Sequence, residues 1–470
     1  MKEVLGKENG LSFRGKENLS VIDGSQKKPC NSESTKEKIN PMVYIVFCSL
    51  LLDLLAFTMI LPLFPSILEF YKNNDNSGLY DSLSNSIKYF QIALNAPEKY
   101  NSVLFGGALG SMFSFLQFLV SPIVGALSDV FGRKKMMLLC ALGIAFSYFI
   151  WAISHNFAIF VLARFVGGLS KGNISLSMAI ITDVTNVSTR GKAMAFVGIA
   201  FSLGFILGPL IGAMFAMFMD KTTITWYWLP AIFAMSLAVL DVLFIGLFLK
   251  ETLPENKRAS HVVTSLTQAM DFVNVVSIFR FSAVKNIKKD DINFLKKMGF
   301  IYFFYLFIYS GLEFTVTFLM YHHFKYTSLD QARMFCTTGV IMAVLQGGVV
   351  RRLRPEKIKP SAVWGLYLIV PSFLCVGLAP TSFWLYFGMI LFAISTAFVV
   401  TCLTTIVSQF GNHDQKGTVL GIFRSLGALA RALGPFVGSI AFWGFGSTLT
   451  YVLGGILLLY PAVLLHKLKI

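Results

Sequence analysis

Twelve long apolar runs separated by shorter polar segments make up most of this sequence of 470 residues. Most runs are close to the about 20 residues that cross the hydrocarbon layer of a bilayer as a helix. We therefore predict an all-α membrane protein with twelve transmembrane helices. The predicted spans are 42–68, 101–124, 136–154, 157–182, 193–218, 226–249, 299–322, 333–350, 361–380, 382–407, 418–441 and 446–466.

The polar segments predict how the chain is divided. Residues 1–41 are rich in Lys, Glu, Ser and Asn, which is typical of a disordered tail. Residues 251–298 separate six spans from six, and their amphipathic and basic stretches are expected to lie along the membrane surface. We predict a cytosolic tail (1–41), a six-helix bundle (42–250), a cytosolic linker (251–298) and a second six-helix bundle (299–470).

The two predicted bundles share a repeated block of small residues. A Ser-Leu-Gly followed by a Gly-Pro-x-x-Gly occurs in span five and again in span eleven. Small residues let membrane helices approach closely, and duplicated halves around a central site are a recurring transporter plan. We therefore predict pseudo-symmetric halves. The residues predicted to mediate helix packing are Gly204, Gly208, Pro209, Gly212, Gly434 and Pro435.

The basic residues are distributed unevenly. With charged residues at only 14 % and a formal net charge of +16, the location of the charge matters more than its sum. Under the predicted topology, 30 of the 40 Lys and Arg residues are cytosolic, 6 are in outer loops and 4 are inside spans. This bias predicts cytosolic termini and contact with anionic lipid rather than with nucleic acid. Plasma membrane and internal membrane both remain open.

Seven ionisable residues fall at bilayer depth, where each costs roughly 2.5–3.5 kcal/mol on insertion scales unless it faces a cavity or a partner. We predict a structural role for Asp241, which lies near the cytosolic end of span six. The candidates for substrate binding or ion coupling are Asp53, Arg164, Lys171, Glu313, Arg424 and Arg431.

Spacing suggests how these charges are arranged. Arg164 and Lys171 are seven residues apart, as are Arg424 and Arg431, so each pair is expected to share a helix face. Ion pairing with the acids is an alternative, but four bases exceed three acids. We infer a positively biased cavity that favours an anionic substrate.

The carboxylates Asp53 and Glu313 predict proton coupling. A carboxylate in a cavity of low dielectric constant can load and release a proton as the cavity changes sides. The alternative is a permanent ion pair with Lys171 or Arg424.

A polar loop between spans two and three carries the candidate gating residues Gly125, Asp129, Gly132, Arg133 and Lys134. The glycines permit a tight reversal. Asp129 is expected to lie against a helix N-terminus, where its charge is favourable. Arg133 and Lys134 are expected to bridge to carboxylates across the cytosolic face and hold the halves together when the protein opens outward.

The spacing Gly125-x3-Asp129-x2-Gly132-Arg133-Lys134 resembles the loop signature of the major facilitator superfamily. Arg164-x-x-Gly167-Gly168 is similar to a fourth-helix signature of its drug-antiporter branch, which implies that this arginine takes part in proton transfer. The segment around Asp53 resembles the first helix of tetracycline/proton antiporters, which implies a functional acid. Distinctive stretches such as Lys416 to Arg431 resemble an animal member of the superfamily and imply a polyspecific exchanger or efflux carrier of organic anions.

The leading prediction is therefore a secondary active transporter of organic anions that works by alternating access. A proton-coupled multidrug or tetracycline-like efflux antiporter and a non-transporting membrane scaffold are the alternatives. We expect no enzyme activity, no cofactor and no metal site, since no phosphate-binding loop or CxxC occurs and the adjacent His322 and His323 point in different directions. The expected partners are small organic anions, protons as a candidate coupling ion and lipids, with the protein acting as a monomer.

Overall fold

A computed structural model describes residues 40–93, 96–218, 228–259, 261–284, 288–410 and 416–468. These residues form helices joined by short turns, and the described ranges contain no strand. The predicted tail lies outside them, apart from its last two residues. The α-helices are α1 (Pro41–Thr58), α2 (Phe64–Asn74), α3 (Leu79–Ala93), α4 (Asn101–Phe131), α5 (Arg133–Ala152), α6 (Phe157–Ser170), α7 (Asn173–Asp183), α8 (Val187–Phe218), α9 (Trp228–Phe248), α10 (Val262–Met270), α11 (Val275–Arg280), α12 (Lys289–His322), α13 (Ser328–Val344), α14 (Pro355–Gly377), α15 (Ser382–Val407), α16 (Lys416–Leu457) and α17 (Leu459–Lys467).

Eleven stretches of the described residues are long and apolar enough to cross a membrane. The last of them, Thr418–Lys467, has 50 residues, more than twice the about 20 that one crossing needs. Gly446 divides this stretch, because its φ of 80° and ψ of 170° lie outside the helical region. Positive φ is readily adopted only by glycine. The stretch therefore contains two crossings, and the prediction of twelve transmembrane helices is confirmed.

The repeated block packs in the same way in both halves. In span five, a Cβ on Gly208 would lie 1.8 Å from Oγ1 of Thr58 in span one. In span eleven, a Cβ on Gly434 would lie 2.2 Å from Oγ of Ser310 in span seven. Each block thus brings its helix into backbone-close contact with the first span of its own half. Further contacts of this kind are Gly204 with Leu54 and Gly212 with the carbonyl of Met59.

Two spans of the first half are interrupted. Span one runs through α1, a short 3-10 helix at Leu61–Leu63 and α2, with Pro62 and Pro65 at the interruption. Proline removes a backbone donor and clashes with the preceding turn. Span four is broken between α6 and α7 at Lys171 and Gly172. The break in span four therefore places the charged Lys171 at a helix end inside the span.

The two halves meet mainly through spans two and eleven (α4 and α16) and spans five and eight (α8 and α13). We call the end of each span near residues 74–101 the outer end and the end near Gly132 the inner end, following the orientation predicted from charge. At the outer end of span two, a Cβ on Gly107 would lie 2.8 Å from the carbonyl of Pro435 in span eleven. At its inner end, a Cβ on Gly125 would meet nothing within 4 Å. The halves are therefore closed at the outer end of span two and apart at its inner end.

The segment predicted as a linker carries α10 and α11, one packed on each half. Helix α10 lies against span two, and α11 lies against spans seven and eleven. Ile278 and Phe281 are fully buried, and a Cβ on Gly299 would lie 2.9 Å from the ring of Phe281. The division of the chain at residues 251–298 stays a prediction.

Candidate functional site

Asp53 and Lys171 form a buried ion pair in the first half. The Lys171 Nζ lies 2.6 Å from Oδ1 and 2.7 Å from Oδ2 of Asp53. Both residues are 3 % exposed, and the ammonium also lies 4.9 Å from the ring centroid of Phe57. A buried charge needs such compensation, because removing it from water is costly. In this conformation Lys171 is thus neutralised, as the ion-pair alternative required.

Arg164 has a different environment. Its guanidinium carbon lies 4.7 Å from the ring centroid of Phe113, and its Nε is buried without a hydrogen-bond partner among the described residues. No carboxylate of the described residues lies within ion-pair distance of it. Arg164 and Lys171 line one small pocket together with Tyr148 and Trp151. Both side chains thus face the same pocket, although α6 ends at Ser170 and Lys171 forms its C-cap.

Asp241 lies beside this pair. It shares a second small pocket with Asp53 and Tyr148, and Asp241 is 4 % exposed. Its Oδ1 has no hydrogen-bond partner among the described residues. A buried carboxylate oxygen without a donor is costly if the group is ionised. Asp241 is therefore a further candidate for holding a proton, although the sequence predicted only a structural role for it.

Arg424 and Arg431 in span eleven are both exposed. The positions Arg424, Arg431, Pro435 and Phe442 are spaced by seven, four and seven residues, so they share one helix face. The carbonyl of Pro435 approaches Gly107, and the ring of Phe442 lies 5.2 Å from that of Tyr100. Gly107 and Tyr100 belong to the other half. The arginine-bearing face is thus turned toward the first half, and its exposure comes from the space between the halves rather than from lipid.

Glu313 in span seven belongs to the same cluster as Arg431. Its Oε1 accepts a hydrogen bond of 2.8 Å from the hydroxyl of Tyr309, and Glu313 is exposed. The charge of Arg431 acts on Glu313 and on the hydroxyl of Tyr302. The ring of Tyr309 stacks on Phe392 at 5.1 Å. The second half therefore presents an accessible carboxylate and guanidinium, with the buried rings of Tyr309 and Phe392 beside them.

The balance of charge follows from these contacts. Asp53 and Lys171 cancel, which leaves three arginines against Asp241 and Glu313. None of the three arginines has a carboxylate of the described residues within ion-pair distance. An excess of unpaired cations in a low-dielectric site attracts anions. The arginines are Arg164, Arg424 and Arg431.

The loop between spans two and three is held by a network inside the first half. Arg133 lies 2.7 Å from Asp129 and 2.9 Å from Asp183 at the end of span four. The Nζ of Lys134 donates a hydrogen bond of 2.8 Å to the carbonyl of Gly246 in span six. All of these partners lie in the first half. Bridges from Arg133 or Lys134 to the second half are absent among the described residues in this conformation, in which the inner ends are apart.

Glu251 occupies the place that was predicted for Asp129. Its Oε1 accepts the backbone N–H of Arg133 at 2.9 Å and its Oε2 accepts that of Lys134 at 3.3 Å, so it caps the N-terminus of α5. Burial raises the pKa of the Glu251 carboxyl, but the backbone donors outweigh burial and hold the pKa below its usual 4.5. Asp129 instead ends α4, where it pairs with Arg133. The prediction for Asp129 was wrong because the sequence does not show that the exit of span six reaches this helix.

A membrane protein of twelve helices in two pseudo-symmetric bundles, with charges between the bundles, belongs to the class of secondary transporters built from repeated halves. A family model described as Major Facilitator Superfamily matches residues 46–435. The chain belongs to this superfamily, as the loop signature predicted.

Two relatives place it within the superfamily. Human major facilitator superfamily domain-containing protein 10 is 43 % identical over 434 residues, which are 91 % of this chain and 93 % of the human protein. Multidrug resistance protein 2 of Bacillus subtilis (strain 168) is 28 % identical over 351 residues, 72 % of this chain and 79 % of that protein. The resemblance to an animal member is thereby confirmed.

Solved structures agree with the fold. The crystal structure of the human organic anion transporter MFSD10 (TETRAN) matches with a TM-score of 0.76 and 42 % identity, covering 91 % of this chain and all of that one. The D-xylose-proton symporter matches with a TM-score of 0.68 at 15 % identity, covering 91 % of this chain and 97 % of that one, and supports the fold alone. The relatives and the fold are those of transporters rather than enzymes.

Proposed function

We propose that this chain is a polyspecific secondary active carrier of organic anions that works by alternating access, in exchange or efflux. The observation that carries the proposal is the arginine-bearing face of span eleven. Arg424 and Arg431 are accessible and turned toward the other half, and neither has a carboxylate of the described residues within ion-pair distance. Guanidinium groups bind carboxylates and other oxyanions through charge-assisted, bidentate hydrogen bonds.

The aromatic rings near these arginines support the proposal that the substrate is an aromatic or otherwise apolar anion. Tyr302, Tyr309 and Phe392 lie on the same side of the second half. In the first half, the guanidinium of Arg164 lies over the ring of Phe113. Aromatic faces accept many ring shapes, which agrees with broad specificity. The human relative is described as an organic anion transporter.

Alternating access is supported by the contact between the halves. They are packed at the outer end of span two and apart at its inner end, which is the arrangement of an inward-open carrier. Rocking of the halves would expose the same arginines to the outer side. The cytosolic position of both termini and the monomeric state belong to the same proposal.

Proton coupling is the second candidate, and the first-half carboxylates favour it. Asp53 is ion-paired with Lys171, and Asp241 has a buried oxygen without a hydrogen-bond donor among the described residues. A proton on Asp53 or Asp241 would change the net charge around Lys171 as the cavity changes sides. The likeness to a bacterial multidrug resistance protein keeps a cationic drug as the alternative substrate.

Transport into proteoliposomes tests the proposal. Uptake of a radiolabelled aromatic carboxylate is measured with and without a pH gradient, beside a cationic drug as a competing substrate. We expect Arg431→Gln to lower anion uptake by about tenfold or more, since a charge-assisted hydrogen bond is worth about 1.5–3 kcal/mol. The matched control is Arg354→Gln, at an exposed arginine before α14, which should leave uptake unchanged. Full anion uptake by Arg431→Gln would contradict the proposed site.

A further inference from the structure

The outer contact between the halves contains a histidine. His322 ends α12, and its Nε2 lies 3.2 Å from the hydroxyl of Ser102 at the start of span two. The imidazole also meets the ring of Tyr100 edge-on at 5.6 Å. Ser102 and Tyr100 belong to the first half, whereas His322 belongs to the second. The histidine therefore lies in the joint that must open when the carrier turns outward.

A second, uncharged contact closes the same joint. The indole Nε1 of Trp443 donates a hydrogen bond of 2.9 Å to Oδ1 of Asn101, and these two residues are 4 % and 5 % exposed. Asn101 and Ser102 are neighbours in sequence, so the start of span two holds spans seven and eleven at once. Of these two contacts, that of His322 contains an imidazole, the side chain whose unperturbed titration falls between pH 5 and 8.

Positive charges surround the histidine. The ammonium groups of Lys72, Lys99 and Lys325 all act on His322, and the Nζ of Lys99 lies 5.0 Å from the ring centroid of Tyr100. No carboxylate of the described residues lies within ion-pair distance of His322, although Glu69 acts on the neighbouring Tyr321. A proton on the imidazole therefore adds a fourth positive charge to a basic cluster.

The lysines of this cluster are divided between the two halves, so the repulsion between them and a protonated His322 depends on how far apart the halves are. Lys72 ends span one and Lys99 precedes span two, so both are on the first half. Lys325 follows His322 on the second half and moves with it. Separation of the halves at the outer end would increase the distance from His322 to Lys72 and Lys99 but not to Lys325. Opening of the outer contact would therefore reduce the electrostatic repulsion on a protonated His322.

We propose that His322 is a proton sensor in the outer contact, and that its protonation from the outer compartment shifts the carrier toward the outward-open conformation. This inference rests on the alternating access of the proposed function but not on its substrate. An acidic outer compartment would then increase the fraction of carriers that present the site to that side. The hydrogen bond between Trp443 and Asn101 does not depend on this protonation and helps to keep the outer ends of the halves in contact.

Hydrogen–deuterium exchange of the purified full-length protein without substrate tests the proposal. Deuterium uptake is compared at about pH 5.5 and about pH 7.5, which bracket the titration of a solvent-exposed histidine, the state that opening of the outer contact would produce. Exchange times are corrected for the intrinsic rate. In the wild type we expect exchange at the outer ends of spans two and seven to be about threefold faster at the acidic pH, the size expected for a few partly screened like charges. In His322→Gln, which keeps a hydrogen-bonding side chain, this response should vanish.

Three further variants distinguish a pH response of His322 from a general loosening of the outer contact. Trp443→Phe should raise exchange at both pH values and keep the acid response. The double variant Lys72→Gln/Lys99→Gln should reduce the response more than Lys325→Gln does. An acid response of wild-type size in His322→Gln, or equal effects of the two lysine variants, would overturn the proposal. Anion transport is measured separately, so failure of the sensor is distinguishable from failure of the proposed function.

Discussion

The two ends of span two differ in how they meet the rest of the molecule. At the outer end, glycines allow side chains and backbone of the other half to touch the helix, and Gly107 approaches both Ser439 and Pro435. At the inner end, the described contacts of the polar loop are with its own half and with the linker, and Gly125 has open space beside it. The outer contact between the halves combines close packing at Gly107 with the hydrogen bonds of His322 and Trp443, whereas the loop at the inner end is charged and forms no hydrogen bond or ion pair with a described residue of the second half. One helix thus carries groups of different chemistry at its two ends.

The most direct way to break the outer contact is Gly107→Ala. The added Cβ would lie 2.1 Å from Oγ of Ser439 and 2.8 Å from the carbonyl of Pro435, and a backbone carbonyl cannot turn away. Overpacking of this kind costs about 1–3 kcal/mol. Because that cost falls on the closed outer end, we expect transport to fall by about tenfold, measured as initial uptake rate in proteoliposomes.

Gly125→Ala is the matched control for this prediction. It makes the same chemical change in the same helix, but the new Cβ meets nothing within 4 Å. Thermal stability should therefore stay near wild type, whereas Gly107→Ala should lower it. Equal loss of thermal stability in the two variants would show that the difference between the ends is not one of packing.

The charged inner contact is tested by Asp129→Asn. Arg133 loses one partner at 2.7 Å but keeps Asp183 at 2.9 Å, so folding and surface expression should be nearly unchanged. Because half-exposed ion pairs are worth about 0–1 kcal/mol, we expect transport to fall by only about two- to fivefold. The expected cause is a weaker outward-open state. Wild-type transport at equal surface expression would remove Asp129 from the gating residues.

The smallest expected effect is that of Glu251→Gln. The amide keeps an acceptor for the N-terminus of α5 but loses the charge, which is worth about 0.3–1 kcal/mol at such a position. The pKa of Glu251 is held below 4.5, so its stabilisation is fully present above that pH and is lost as the pH falls through the lowered value. The melting temperatures of the two proteins should therefore differ at neutral pH and converge below pH 4.5. A difference that persists in acid would mean that the charge is not the cause.

The fold was largely predictable because each span carries its own signal. Apolar length alone located the crossings, including the two that join at Gly446 in one stretch of 50 residues. The repeated glycines predicted close packing, and the structure shows which helices they join. The break at Lys171 and Gly172 was not predictable from spacing, since the apolar run continues through it.

The candidate site was predictable as a set of residue types but not as a set of partners. The sequence shows four bases and three acids inside the spans. It does not show that Lys171 pairs with Asp53, because this pairing depends on how spans one and four pack against each other. The direction of Arg424 and Arg431 became clear only from the contacts of Pro435 and Phe442 on the same face. Glu251 was missed because a cap from a distant exit loop has no local spacing to reveal it.

Gly446 makes spans eleven and twelve neighbours without an intervening loop. A connection of a single non-helical residue has almost no slack, so a rotation of the arginine-bearing helix must carry its successor along with it. The exposed side chains of span twelve, such as Tyr460, thus offer attachment points for a fluorescent reporter of that rotation.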